Sequence, residues 1–152
     1  MAAGRPRGKS RNCGQESCGL LLTRLARAAN RSLAAELEAI GLRSQQFGVL
    51  HRLADAGPSS QAELAASMRI HASNLVRIID ELEAAGLVIR RRDEDDRRRQ
   101  VVGVTRAGFN LLQRAERAAA ETEAELLAPL SVAERSELHG LLSRLARGPC
   151  GR

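Results

Sequence analysis

Asn74 and Arg77 stand three residues apart at the start of an apolar helical stripe, and the run Asp-Glu-Asp-Asp-Arg-Arg-Arg follows at 93–99. An Asn amide can bond an adenine edge through two hydrogen bonds and an Arg guanidinium a guanine edge, each pair discriminating by roughly 1–3 kcal/mol. Ser73 shares the same helical turn, and Ser60 and Gln61 open an earlier helix whose amides and side chains suit a phosphate. A solvated helix face would carry the same residue types, so the choice depends on what surrounds them. Groups suited to catalysis are scattered. His51, His71 and His139 lie in different segments with no acid or Cys at triad or metal spacing. Glu36 and Glu38, like Glu121, Glu123 and Glu125, are spaced for solvated helix faces, and no Gly-rich phosphate loop is present. The residues therefore predict no enzyme, no metal and no cofactor.

Composition narrows the partner. The 152 residues carry a net charge of +6, drawn from Arg far more than Lys, which suits bidentate contacts to phosphate and guanine. With two Phe and no Tyr or Trp there is no aromatic platform for stacking single-stranded bases. No run of eighteen apolar residues suggests a membrane span, and no signal-peptide core is evident, so a cytoplasmic protein without a membrane partner is expected. Cys13, Cys18 and Cys150 are an odd set near the ends, which makes no disulfide framework.

These side chains need elements to hold them. Residues 1–17 lack periodicity and read as a disordered basic tail. Leu21, Leu25, Ala29, Leu33, Leu37 and Ile40 mark one face of a long helix over 18–41. A second helix opens at Ser44 as its expected N-cap and carries Phe47, Leu50 and Leu53. Ser60-Gln-Ala-Glu63 is a capping box opening a short helix through Met68. After Arg69-Ile70-His71, the stripe Leu75, Ile78, Ile79 and Leu82 runs to Gly86, completing a helix-turn-helix. The period then changes: Leu87-Val88-Ile89 and Val101 to Val104 read as strands, with Arg90 to Gln100 as a protruding wing. Thr105 caps a further long helix, and Ser131-Val-Ala-Glu134 opens a last one holding Leu138, Leu141, Leu142 and Leu145.

The fold expected is mainly α with a small β-wing: a winged helix-turn-helix over 42–105, flanked by dimerisation helices over 18–41 and 106–147, with a tail at 148–152. The outer stripes exceed what the central module can cover, so packing against a second copy is the simplest burial. With the wing beside it, the face bearing Ser73, Asn74 and Arg77 reads as a recognition helix for double-stranded DNA.

From Leu42 to Leu112 the chain resembles the MarR family of bacterial regulators. The likeness is carried by Gln46-Phe47 with Leu50, Gln61-Ala-Glu-Leu-Ala65, Leu82-Glu-Ala-Ala-Gly-Leu87, the run 93–99, and Thr105-Arg-Ala-Gly108. The resemblance implies a homodimer on a palindromic site, usually a repressor released by a small-molecule effector or an oxidant. It also implies that Asp96 braces an Arg while Arg97 and Arg98 reach the minor groove or its backbone. Two departures stand out. His71 occupies an N-cap where the family often has Ser, and a Tyr-rich sensing pocket is impossible here. Cys18, at a helix start, is the candidate for an alternative thiol-based redox regulator, with an inert thiol the favoured reading. A third class, an architectural basic module without sequence preference, is separated by a salt-controlled competition between cognate and random duplex.

Overall fold

The computed structural model describes residues 16–93 and 96–148. The expected N-terminal tail up to residue 15, Cys13 and Cys150 lie outside them. The elements run α1 (Cys18–Ala39), α2 (Ser44–Ala56), α3 (Gln61–Met68), α4 (Ala72–Ala84), β1 (Val88–Arg92), β2 (Gln100–Val104), α5 (Arg106–Leu126) and α6 (Val132–Ala146). This is the mainly helical architecture with a two-stranded wing that the periodicities predict.

Local chemistry sets most boundaries. The Ser60 and Ser131 hydroxyls accept from the amides of Glu63 (3.3 Å) and Glu134 (3.4 Å), and each carboxylate accepts from its serine's own amide. Two otherwise orphaned N–H groups are satisfied at each start. Thr105 Oγ1 accepts from the Gly108 amide at 3.0 Å. Ser17, the last residue of the expected tail, caps α1 by accepting from Leu20 N–H. The start of α2 differs from expectation: the cap is Arg43, and Ser44 is already helical. Gln46 favours the shift: its Oε1 accepts from the Arg43 amide at 3.0 Å, the half of a capping box made by the third helical residue, while no side chain caps from Arg43 itself.

The wing strands also run further than their apolar runs suggest. Val88 pairs with Val104 and the antiparallel ladder continues to Arg92 opposite Gln100, so Arg90, Arg91 and Arg92 belong to a strand and not to the loop. Ladder bonds are made by the main chain and do not require apolar side chains. The connecting loop shrinks to 93–99, closed by Asp93 N–H to Arg99 C=O at 2.9 Å. On its other edge β2 exchanges two backbone bonds with Ser59, just ahead of α3.

The core gathers Leu42, Val49, Leu50 and Leu53 with Leu64, Leu75, Ile78, Ile79, Leu82, Val88, Val102, Leu112 and Ala115. α5 supplies Leu112 and Ala115, but α1 and α6 contribute little to it. Leu37 is the one buried residue of α1, and α6 buries none. Leu20, Leu25, Leu126, Leu141, Leu142 and Leu145 are exposed, whereas Leu21 is half-buried. Phe109 in α5 is exposed too.

Candidate nucleic-acid interface

The turn between α3 and α4 is three residues long and bends at Arg69, whose φ of 53° is left-handed. Its amide and that of Ile70 return to the carbonyls of Ala66 and Ala65, ending α3 before α4 begins. α4 then packs Leu75, Ile78, Ile79 and Leu82 fully inward. That leaves Ser73, Asn74, Val76 and Arg77 exposed on the remaining face, near the helix N-terminus. His71 is the N-cap and makes no side-chain capping bond, in keeping with its residue type. Asn74 sits toward α2, lining a small hollow with Ser44, Gln45 and Met68, whereas Arg77 lines another with Arg43, Gln46 and Glu81.

The wing is bolted to this helix. Arg90, with a side chain only 18% exposed, donates through Nη2 to Asp80 and through Nη1 to Glu83, and its amide bonds Glu83 Oε1 at 3.0 Å. Arg99 reaches back to Glu63 in α3 and lies 3.8 Å from Asp93. Arg97 and Arg98 stay exposed and, with Arg92, Arg99 and Gln100, line a hollow of about 360 Å³. Asp96 braces the main chain of the loop: its Oδ1 accepts from the Arg98 amide at 3.0 Å. Four arginines around one hollow give this side of the wing the charge and the donors that an anion such as a phosphate would meet.

Ser60 and Gln61 lie at the start of α3, both half-buried. The Ser60 hydroxyl is committed to its capping box, where it accepts from the Glu63 amide and donates to the Glu63 carboxylate at 2.9 Å. Cys18 is exposed in the first turn of α1. Among the described residues no cluster of three metal-ligating side chains exists, and no helix is long and apolar enough to cross a membrane. His51 does have an acidic neighbour that the sequence does not reveal, Glu116 on α5 at 3.3 Å from Nδ1.

Sequence reasoning misses four residues of this surface. Arg90 and Arg99 read in the sequence as undifferentiated loop charge. Val76, 41% exposed, has the composition of a core residue but faces outward. Glu81 stands four residues after Arg77, a spacing that signals an ion pair on one helix face and is legible in principle.

Among the described residues four carboxylates are held below their ordinary value of 4.5. For Glu63 and Glu83 the leading cause is a backbone N–H, from Ser60 and Arg90 respectively; for Glu134 it is the Ser131 hydroxyl. Glu81 loses solvation, which opposes the shift, but bonds from Arg43 and Arg77 outweigh that loss. A depressed folded pKa stabilises above the unfolded value and loses that stability as pH falls through the folded one. Thermal stability should therefore decline on acidification below about 4.5, and Glu83→Gln should flatten that decline in melts recorded against pH.

A model of the MarR family matches residues 40–99. The HTH-type transcriptional regulator PecS of Dickeya dadantii is 30% identical over 129 residues, covering 83% of this chain and 78% of PecS. A putative transcriptional regulatory protein for the hcr operon of Thauera aromatica is 38% identical over 101 residues, 66% of this chain and 61% of that protein's length. Mutant MarR from E. coli, solved in complex with operator DNA, superposes with a TM-score of 0.72 at 24% identity, covering 84% of this chain and 91% of that one. A chain that aligns with most of PecS and carries the family's pattern across α2, α3, α4 and the wing belongs to the MarR family of transcriptional regulators.

Proposed function

We propose that two copies of this chain bind a palindromic stretch of duplex DNA and regulate transcription there, by binding and not by catalysis. The carrying observation is the exposed face of α4 beside a wing that Arg90 and Arg99 clamp to α4 and α3. In this reading Asn74 and Arg77 meet base edges in the major groove, Val76 offers its methyls to a thymine methyl, and Arg97 and Arg98 lie along the minor groove or its phosphates. The amides that open α3 hold a phosphate. The operator complex of the E. coli relative supports DNA as the partner of this surface. Exposed leucines on α1 and α6 supply the second copy's interface, and a small-molecule effector acting between outer helices and wing module would set the bound state. Cytoplasmic residence accords with this role. Exposure alone speaks for Cys18 as a redox sensor, so effector release is the preferred reading.

Binding titrations on selected and scrambled duplexes at several salt concentrations test the division of labour. Arg77→Ala should cost about 1–3 kcal/mol on the cognate site and relax preference at one base pair per half-site. Arg97→Ala or Arg98→Ala should weaken both duplexes alike and flatten the salt slope by about one unit for each phosphate no longer neutralised. The reading fails if Arg77→Ala and Asn74→Ala both leave the cognate-to-scrambled ratio unchanged.

A further inference from the structure

The Glu81 carboxylate is shared between two elements. Its Oε2 accepts from Arg43 Nη2 at 2.6 Å and from Gln46 Nε2 at 3.1 Å, both at the start of α2. Its Oε1 accepts from Arg77 Nη1 at 2.8 Å, one helical turn earlier in α4. Gln46 cannot turn away, because its Oε1 already holds the Arg43 amide. The carboxylate is thus fixed from α2, its side chain 30% exposed, and passes that fixity to an arginine whose side chain is 53% exposed.

We infer that Glu81 is the positioning residue that presets Arg77 for base readout, an assignment resting on the reading of α4 as the recognition helix. An unrestrained arginine must lose several rotors when it docks on a base. Here one guanidinium nitrogen is anchored before DNA arrives, and the planar fork keeps donors for a guanine edge. Anchoring by a carboxylate also weakens the attraction of Arg77 for any phosphate, favouring a directed hydrogen bond over a diffuse charge contact.

The test is the cognate-to-substituted ratio at each base pair for Glu81→Ala, Glu81→Gln, Arg77→Ala and the double variant, with melting temperatures recorded in parallel. Removing the acid near DNA should tighten binding to random duplex, so the ratio is the informative quantity. The ratio should fall about three- to tenfold with Glu81→Ala, at the base pair that Arg77→Ala relaxes. Glu81→Gln, which keeps shape and one acceptor, should lose less. In the Arg77→Ala background either Glu81 change should do nothing further to the ratio. An unchanged or raised ratio in both single variants overturns the inference, as does a loss spread evenly over all base pairs or one that persists without Arg77. If Arg77→Ala itself leaves the ratio intact, the recognition-helix reading has failed, and that arm shows it alone.

Discussion

A glutamate in place of Leu141 or Leu145 should reduce the particle seen by light scattering from twice 16.4 kDa to a single chain. The same change should weaken binding to a palindrome by about 10²–10⁴-fold, because the second half-site would no longer be engaged intramolecularly. Neither side chain is needed inside its own chain: α6 buries no residue, and Leu145 is 60% exposed. Burying an unpaired charge at a subunit interface, by contrast, costs several kcal/mol. The far-ultraviolet circular dichroism of the variant should therefore stay close to that of the native chain while its mass halves. A monomeric native chain that binds a palindrome tightly would overturn the architecture. So would a Leu145→Glu chain that keeps both mass and affinity.

Among the described glycines, Gly108→Ala should be the most damaging replacement by alanine. A Cβ at Gly108 would lie 2.1 Å from the Leu87 carbonyl oxygen and 2.7 Å from a Val104 methyl. That carbonyl cannot turn aside, since it accepts from the Thr105 amide at 3.0 Å and from the Thr105 hydroxyl at 3.2 Å. Relief requires α5 to shift away from the wing, and α5 also packs against α1 and α2. Overpacking of this kind costs about 1–3 kcal/mol or more, and the Tm should fall by roughly 5–10 °C. Gly48→Ala is the control. It meets only the flexible tip of Met68, at 3.4 Å, and should leave the Tm nearly unchanged. Equal Tm values for the two variants would show that the α5–wing approach is looser than these distances.

Much of this is legible in the residues. The capping boxes at Ser60 and Ser131, the cap at Thr105 and the four-residue stripe of α4 each depend on near neighbours, and each forms where the spacing places it. The features that escape depend on partners far along the chain. Arg43 meets Glu81 across 38 positions and Arg99 meets Glu63 across 36, distances at which charge patterning carries no address. Arg90 is hidden differently. Arginine is a poor marker of a strand, yet here its stem lies in the ladder while its head lies among the acids of α4. Val76 misleads by composition, since an apolar residue in an amphipathic helix is ordinarily read as core. Ser44 does not take its expected place as cap: Arg43 stands there, and Gln46 reaches back from inside the helix to the Arg43 amide.

The grip of Arg90 on Asp80 and Glu83 has a mechanical consequence. β1 and α4 are geared together by one side chain with both of its Nη atoms engaged, while Ser59 ties β2 to the entrance of α3. Among the described residues, both wing strands are thus tied to the helices beside them, β1 to α4 and β2 to the entrance of α3. In the proposed complex, a movement of α4 would carry the wing strands with it, and both contacts would leave DNA together. In the proposed dimer, release would then be a change of pitch between the two modules, not a loosening within either.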